Sequence, residues 1–237
     1  MPRNTREMSF LEHLEELRWR LVKSVGTVLA LSIVAYFFSD AILDLVTKPI
    51  DLVYFMAPTE AFAVRIKISL FAGLVMALPV IFYQAWQFVV PGLHAREVRM
   101  VIPVVLLATA FFLVGASFCF FFVLPKAIGF LMGFGTEKLK PMIAVGRYVS
   151  FIGWMTLAFG AVFELPIVSF FLGRLGIINS RMLRKGRRFA VVGILIVAAV
   201  VTPTPDAFSQ LMLAVPLYVL YEVSIVVVRL TGRGEPP

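Results

Sequence analysis

The chain has 237 residues, of which 60% are hydrophobic and 15% charged. Soluble domains average roughly 45–50% apolar and about 25% charged residues, so this composition, with a mean hydropathy of +0.94, excludes an ordinary soluble globule and makes lipid the expected solvent. A single cysteine, Cys119, and two histidines distant in sequence, His13 and His94, argue against a disulfide framework, a zinc site and a His-based catalytic triad.

The first predicted element is "SFLEHLEELRWRL", residues 9–21. Ser9 and Glu12 form a capping box. Phe10, Leu14, Leu17 and Leu21 make one apolar stripe at helical spacing. Glu16 and Arg20 pair at i,i+4 in the favourable order, and Glu15 and Arg18 at i,i+3. The expectation is a short amphipathic helix over 9–20 on the cytoplasmic surface, either an anchor alone or a docking surface as well.

A helix crossing the ~30 Å hydrocarbon core needs about 20 residues. Six spans are predicted, at about Leu21–Phe38, Ile68–Phe88, Val101–Leu124, Tyr148–Leu172, Phe189–Thr202 and Phe208–Val228. The fold class is thus an all-α integral membrane protein, a single polytopic domain with spans five and six forming a stubby hairpin. "YFFSD" after span one is no cleavage site, so that span is expected to stay.

Basic residues set the orientation. With a cytoplasmic N-terminus, fifteen Lys and Arg lie inside: Arg3, Arg6, Arg18, Arg20, Lys23, Arg96, Arg99, Arg174, Arg181, Arg184, Lys185, Arg187, Arg188, Arg229 and Arg233. Seven lie outside: Lys48, Arg65, Lys67, Lys126, Lys138, Lys140 and Arg147. Both termini are therefore predicted to be cytoplasmic. The net charge of +8 reads as topology rather than nucleic-acid binding. "GRR" at 186–188 is covered by the same rule.

The loop after span two reads "FVVPGLHAREVR", residues 88–99. Pro91 and Gly92 break the helix there. Glu97 is the one acid between Arg96 and Arg99. It is either a solvated charge or a receptor for a cation, since guanidinium pairs bidentately with carboxylate.

Glu164 sits in "AFGAVFELPIV", residues 158–168, deep inside span four. A charge near mid-bilayer costs at least ~2.5–3.5 kcal/mol. Pro166 leaves the Val162 carbonyl without its helical donor, so a bend is expected. Glu164 is either glue to another span or a functional polar spot. Gln210 in span six is a second intramembrane polar group. "TPTPD" at 202–206 makes a tight outer turn, in which Pro203 and Pro205 fix the backbone and Asp206 caps span six.

No nucleophile–base pair is apparent, because Cys119 and Ser117 have no nearby histidine in sequence, and no G-x-x-x-x-G-K-[ST] loop is present. Neither an enzyme nor a bound cofactor is expected. A rival reading is an ion-coupled small-molecule secondary transporter, which suits an intramembrane Glu and Pro-broken helices. Against it, no pair of interrupted spans repeats, and only one strong acid lies deep.

Four stretches together carry a resemblance over residues 9–228: "FLEHLEELRWRL", "LPVIFYQAWQFVVPGL", "FGAVFELPIV" and "TPTPDAFSQ". The chain resembles the TatC family, the receptor and core subunit of the twin-arginine protein translocase, whose first motif is a similar H-L-x-E-L-R-x-R run. The resemblance implies binding of the twin-arginine signal peptides of folded precursor proteins at the cytoplasmic face. By matching position, Glu16, Arg18, Arg20, Phe88, Pro91 and Glu97 would form that site, with Glu97 and Glu16 accepting the paired arginines. It also implies a cupped six-helix bundle whose concave face holds Glu164, in a bacterial inner membrane. Small single-span partners of the TatA and TatB type, a homo-oligomeric receptor complex and transport driven by the proton-motive force belong to the same expectation. A polar side chain of such a partner would dock at Glu164, and Gln210 would add a second contact. The loop departs from the family at His94 and Ala95, where an aromatic and a lysine are common, and at Val98, where a basic residue often stands.

Overall fold

Apolar sequence without breakers becomes long helix, and in the computed structural model, which describes residues 10–50, 53–89, 101–133, 142–201 and 207–231, it does so throughout. The helices are α1 (Phe10–Tyr36), α2 (Ser39–Thr47), α3 (Glu60–Val89), α4 (Val101–Phe118), α5 (Leu124–Met132), α6 (Val145–Phe163), α7 (Leu165–Arg174), α8 (Ser180–Val201) and α9 (Ala207–Thr231). A π-helical turn, Cys119–Val123, joins α4 to α5. Among the described residues five stretches are long and apolar enough to cross a bilayer: Leu11–Tyr36, Glu60–Phe88, Val101–Met132, Val145–Arg174 and Gln210–Leu230. The segment predicted as a short fifth span falls on the apolar end of α8, whose front half carries Arg181, Arg184, Lys185, Arg187 and Arg188 and which is not one of these five.

α1 is one uninterrupted helix through residues predicted as a surface helix and then a span. No Gly or Pro stands between Phe10 and Val25, so nothing stops the backbone ladder from running on. Its predicted apolar stripe faces outward at Leu14, Leu17 and Leu21, all exposed, as is Leu11 beside them. Glu16 and Arg20 are the better covered side chains. This inversion of the soluble pattern is what a lipid environment permits.

The chain divides into two units, Met1–Leu43 with Arg65–Thr109, and Asp44–Val64 with Ala110–Pro237. In the first, α1 and α3 meet at small residues. A Cβ added at Gly73 would lie 2.6 Å from the Ser32 Cα. Without a hydrophobic force between helices in lipid, such close backbone approach supplies the packing. Arg65 Nη2 bonds Asp40 Oδ1 at 2.7 Å beyond the end of α1.

In the second unit, α4 and α6 use reciprocal notches. A Cβ at Gly160 would meet the Phe112 ring at 2.5 Å, and one at Gly115 would meet the Phe163 ring at 2.6 Å. Phe118 lies beside both Phe159 and Phe163, and Phe159 is fully buried. α7 packs on α9 where Gly173 faces Val228. α8 and α9 are tied by three polar contacts: Arg187 Nη2 to Glu222 Oε2 at 2.7 Å, Tyr221 Oη donating to the Leu183 carbonyl at 2.6 Å, and Gln210 Nε2 donating to the Leu195 carbonyl at 3.0 Å.

A carboxylate clasp joins the start of α3 to the start of α6. Glu60 Oε2 accepts from the Met56 N–H at 2.6 Å and Oε1 from the Gly146 N–H at 2.8 Å. Beside it, Tyr54 and Ala144 form a parallel bridge, and Tyr148 Oη donates to the Val46 carbonyl at 2.9 Å.

Candidate functional site

The first turns of α1 and the last turns of α3 assemble a polar cluster in the first unit. Arg20 Nε donates to Glu16 Oε1 at 2.9 Å, and Nη2 closes a second bond to the same oxygen. Arg20 Nη1 reaches Gln84 Oε1 of α3 at 3.4 Å. His13, one turn before Glu16, stacks on Phe88 with ring centroids 4.1 Å apart. Its Nδ1 lies 3.8 Å from Glu16 Oε2. That oxygen is buried, and among the described residues it has no hydrogen-bond partner. A buried acceptor left unmade costs roughly 1–3 kcal/mol, so Glu16 is a carboxylate with one oxygen committed and one in reserve.

Three of the residues expected to act together, Glu16, Arg20 and Phe88, are thus brought into one cluster. Arg18 is turned away: it pairs with Glu15 at 3.3 Å and lies over the Trp19 ring. Pro91 and Glu97 lie outside the described residues, as do Ser9 of the capping box and Pro205 and Asp206 of the outer turn. His13 and Gln84 were not singled out from sequence. His13 stands three residues before Glu16, a helical neighbour and hence a readable signal. Gln84 is 64 residues from Arg20 and gives none.

The second polar position is Glu164. It occupies the single non-helical residue between α6 and α7. Its own N–H donates to the Ala161 carbonyl at 3.2 Å, tightening the last turn. Pro166 stands in the first turn of α7, where a missing N–H is tolerated. The break expected from Pro166 is therefore present, and it turns a half-buried carboxyl toward the α4 backbone at Phe112. Oε1 is buried and unpartnered among the described residues. Gln210 gives its amide to α8 instead, as helix-to-helix glue. Among the described residues no group of His, Cys, Asp and Glu is placed to hold a metal ion.

Comparison with known proteins decides the family. The model for "Sec-independent protein translocase protein (TatC)" matches residues 12–216. The chain belongs to the TatC family. A TatC from Desulforapulum autotrophicum is 40% identical over 99% of this chain and 89% of its own length. A TatC from Aquifex aeolicus is 38% identical over 96% of this chain and 98% of its own. A crystal structure of the twin arginine translocase receptor TatC superposes with a TM-score of 0.84 at 37% identity, covering 94% of this chain and 100% of that one. The all-helical membrane fold expected from sequence is the TatC fold, and the TatC family is a translocase subunit rather than an enzyme.

Proposed function

We propose that this TatC-family chain is the signal-peptide receptor and core membrane subunit of a twin-arginine translocase. The observation that carries the reading is the Glu16 carboxylate. One of its oxygens is held by Arg20, and the other is buried and, among the described residues, without a hydrogen-bond partner beside the His13–Phe88 stack. An arriving guanidinium fork can take the reserve oxygen, or replace Arg20, without exposing a bare carboxylate. An ammonium has no such fork. Glu97, five residues after Gly92 of the helix-breaking Pro91–Gly92 pair, would accept the second arginine. Phe88 would supply an apolar wall, and Arg18 the outward charge that orients the peptide.

Glu164 takes a different part in this proposal. Half-buried at a helix break, it offers a polar anchor to a small single-span partner of the TatA or TatB type. Gln210 holds α9 to α8 through the Leu195 carbonyl. The turn expected at Pro205 and Asp206, which lie outside the described residues, would set the short hairpin. Assembly as a homo-oligomer, an inner-membrane location with both termini cytoplasmic, and use of the proton-motive force complete the proposal. Relatives and solved structures carry translocase names, which favours this reading over an ion-coupled solute transporter.

The test is binding of a twin-arginine signal peptide to detergent-purified protein, against its twin-lysine variant, repeated with Glu16→Gln and Glu97→Gln. Arg-selective binding weakened by either substitution supports the assignment. Arg-selective binding that survives both moves the site elsewhere. Absence of Arg-selective binding in folded protein overturns the receptor reading.

A further inference from the structure

Beside the close contact of Ser32 with Gly73, α1 and α3 leave a cleft of about 430 Å³ between them. Leu29, Ile33 and Tyr36 of α1 and Ile66 and Leu70 of α3 form its walls. Its floor is Ser32 and Ser69, both buried. Each serine hydroxyl donates back to its own helix, Ser32 to the Val28 carbonyl and Ser69 to the Arg65 carbonyl, both at 2.7 Å. Two residues that look polar in sequence therefore present no spare proton, and the cleft is hydrocarbon-lined.

The mouth is different. Next in the chain beyond the lining at its Phe37 and Ile66 end, Asp40, three residues past Phe37, and Arg65, one residue before Ile66, form an ion pair with side chains 70% and 45% exposed. Arg65 Nη2 is the nitrogen that meets Asp40, and the fork carries five N–H donors in all. The cleft follows α1 from Leu29 to Phe37, about 12 Å at 1.5 Å per residue. That is most of the ~15 Å hydrocarbon depth of one leaflet, half of ~30 Å. A spanning helix would need a groove through both leaflets, about twice the length of this one.

We infer that the cleft is a phospholipid site, taking one acyl chain of a zwitterionic lipid of the phosphatidylethanolamine type, with its phosphate on Arg65 and its ammonium on Asp40. The paired opposite charges at the mouth select the headgroup. An anionic headgroup meets Asp40, and a glyceride without a headgroup leaves the ion pair unengaged. The inference rests on the membrane-spanning fold and is independent of signal-peptide binding.

The test is native mass spectrometry of the detergent-purified full chain, incubated with dioleoyl phosphatidylethanolamine, dioleoyl phosphatidylglycerol or dioleoylglycerol. The expected result is retention of phosphatidylethanolamine about fivefold or more above the other two, since both charged groups of its headgroup are paired. Asp40→Asn and Arg65→Gln, both surface changes, should each lower it to the glyceride level. Leu70→Trp, which fills the cleft from its exposed wall, should displace it, and Leu211→Trp, on an exposed face of α9, should not. Equal retention of dioleoylglycerol would reduce the site to ordinary annular contact and overturn the inference. Phosphatidylglycerol bound as well or better, or phosphatidylethanolamine indifferent to Leu70→Trp, would overturn it too. So would a cross-link in membranes from Ile33→Cys to a single-span protein in place of lipid.

Discussion

Two glutamates of the same chain are placed in opposite ways. Glu16 lies on a continuous helix, with a guanidinium already bonded to it and a histidine and an aromatic ring beside it. Glu164 lies where a helix is broken, among phenylalanines and glycine notches, and among the described residues no cation pairs with it. A carboxylate held by a cation is prepared to exchange one cation for another. A carboxyl set against backbone and aromatic rings is prepared for a hydrogen bond to a neutral group. Position in the chain does not separate the two; the partners each helix brings to them do.

The sharpest way to break this contrast is to remove each carboxylate in turn and measure one signal. Glu16→Ala should weaken a fluorescently labelled twin-arginine peptide by at least about thirtyfold, because truncating one partner of a covered ion pair costs 2–5 kcal/mol. Glu164→Ala should leave that affinity within about twofold, since sites that share no partners act independently. Equal losses would mean that the two carboxylates serve one site.

Next in size is the wall beside Glu164. Gly160→Leu drives a side chain into the Phe112 ring and should lower stability by about 1–3 kcal/mol, read as a lower thermal midpoint in detergent. Gly129→Ala and Gly193→Ala, where an added Cβ meets nothing within 4 Å, should show no such loss. A Gly160→Leu protein as stable as the parent would mean that α4 and α6 can part without penalty.

Glu164 itself separates charge from hydrogen bonding. Glu164→Gln keeps the polar group and removes the charge, so capture of a single-span partner should stay near the parental level. Glu164→Ala should lose about tenfold, the equivalent of ~1.4 kcal/mol and within the 1–2 kcal/mol of an intramembrane hydrogen bond. Loss of capture in both variants would show that the charge matters. The smallest effect belongs to Gln210→Ala, which removes one bond between α8 and α9 worth about 0.6 kcal/mol. Its thermal midpoint should fall slightly with peptide binding intact; a change in peptide affinity would tie Gln210 to recognition.

Local chemistry was legible in the sequence and long-range chemistry was not. The Glu16–Arg20 and Glu15–Arg18 pairs followed from helical spacing and are present. The interruption near Glu164 followed from the missing proline N–H. The stacking of His13 on Phe88, the reach of Arg20 to Gln84 and the clasp from Glu60 to Gly146 join residues 64 to 86 positions apart, and no periodicity announces such meetings. The π-helical turn at Cys119–Val123 was also silent, because its phenylalanines and valine suit any apolar helix. The merging of the predicted surface helix with span one had a readable cause, the lack of a breaker between them, but amphipathic patterning pointed to a separate element.

The Glu60 clasp carries a consequence for how the chain is threaded. A carboxylate can hold the N–H groups of both Met56 and Gly146 only if those residues are on the same side of the bilayer. Between them stand two stretches long and apolar enough to cross, α3 and then α4 with the π-helical turn and α5, and two crossings would bring the chain back to the side it left. During insertion the bond cannot form until residue 146 has arrived. The clasp is thus a parity check written in two hydrogen bonds: it closes on a chain whose helices alternate in sense, and a chain with one crossing missed would leave Glu60 without the Gly146 N–H.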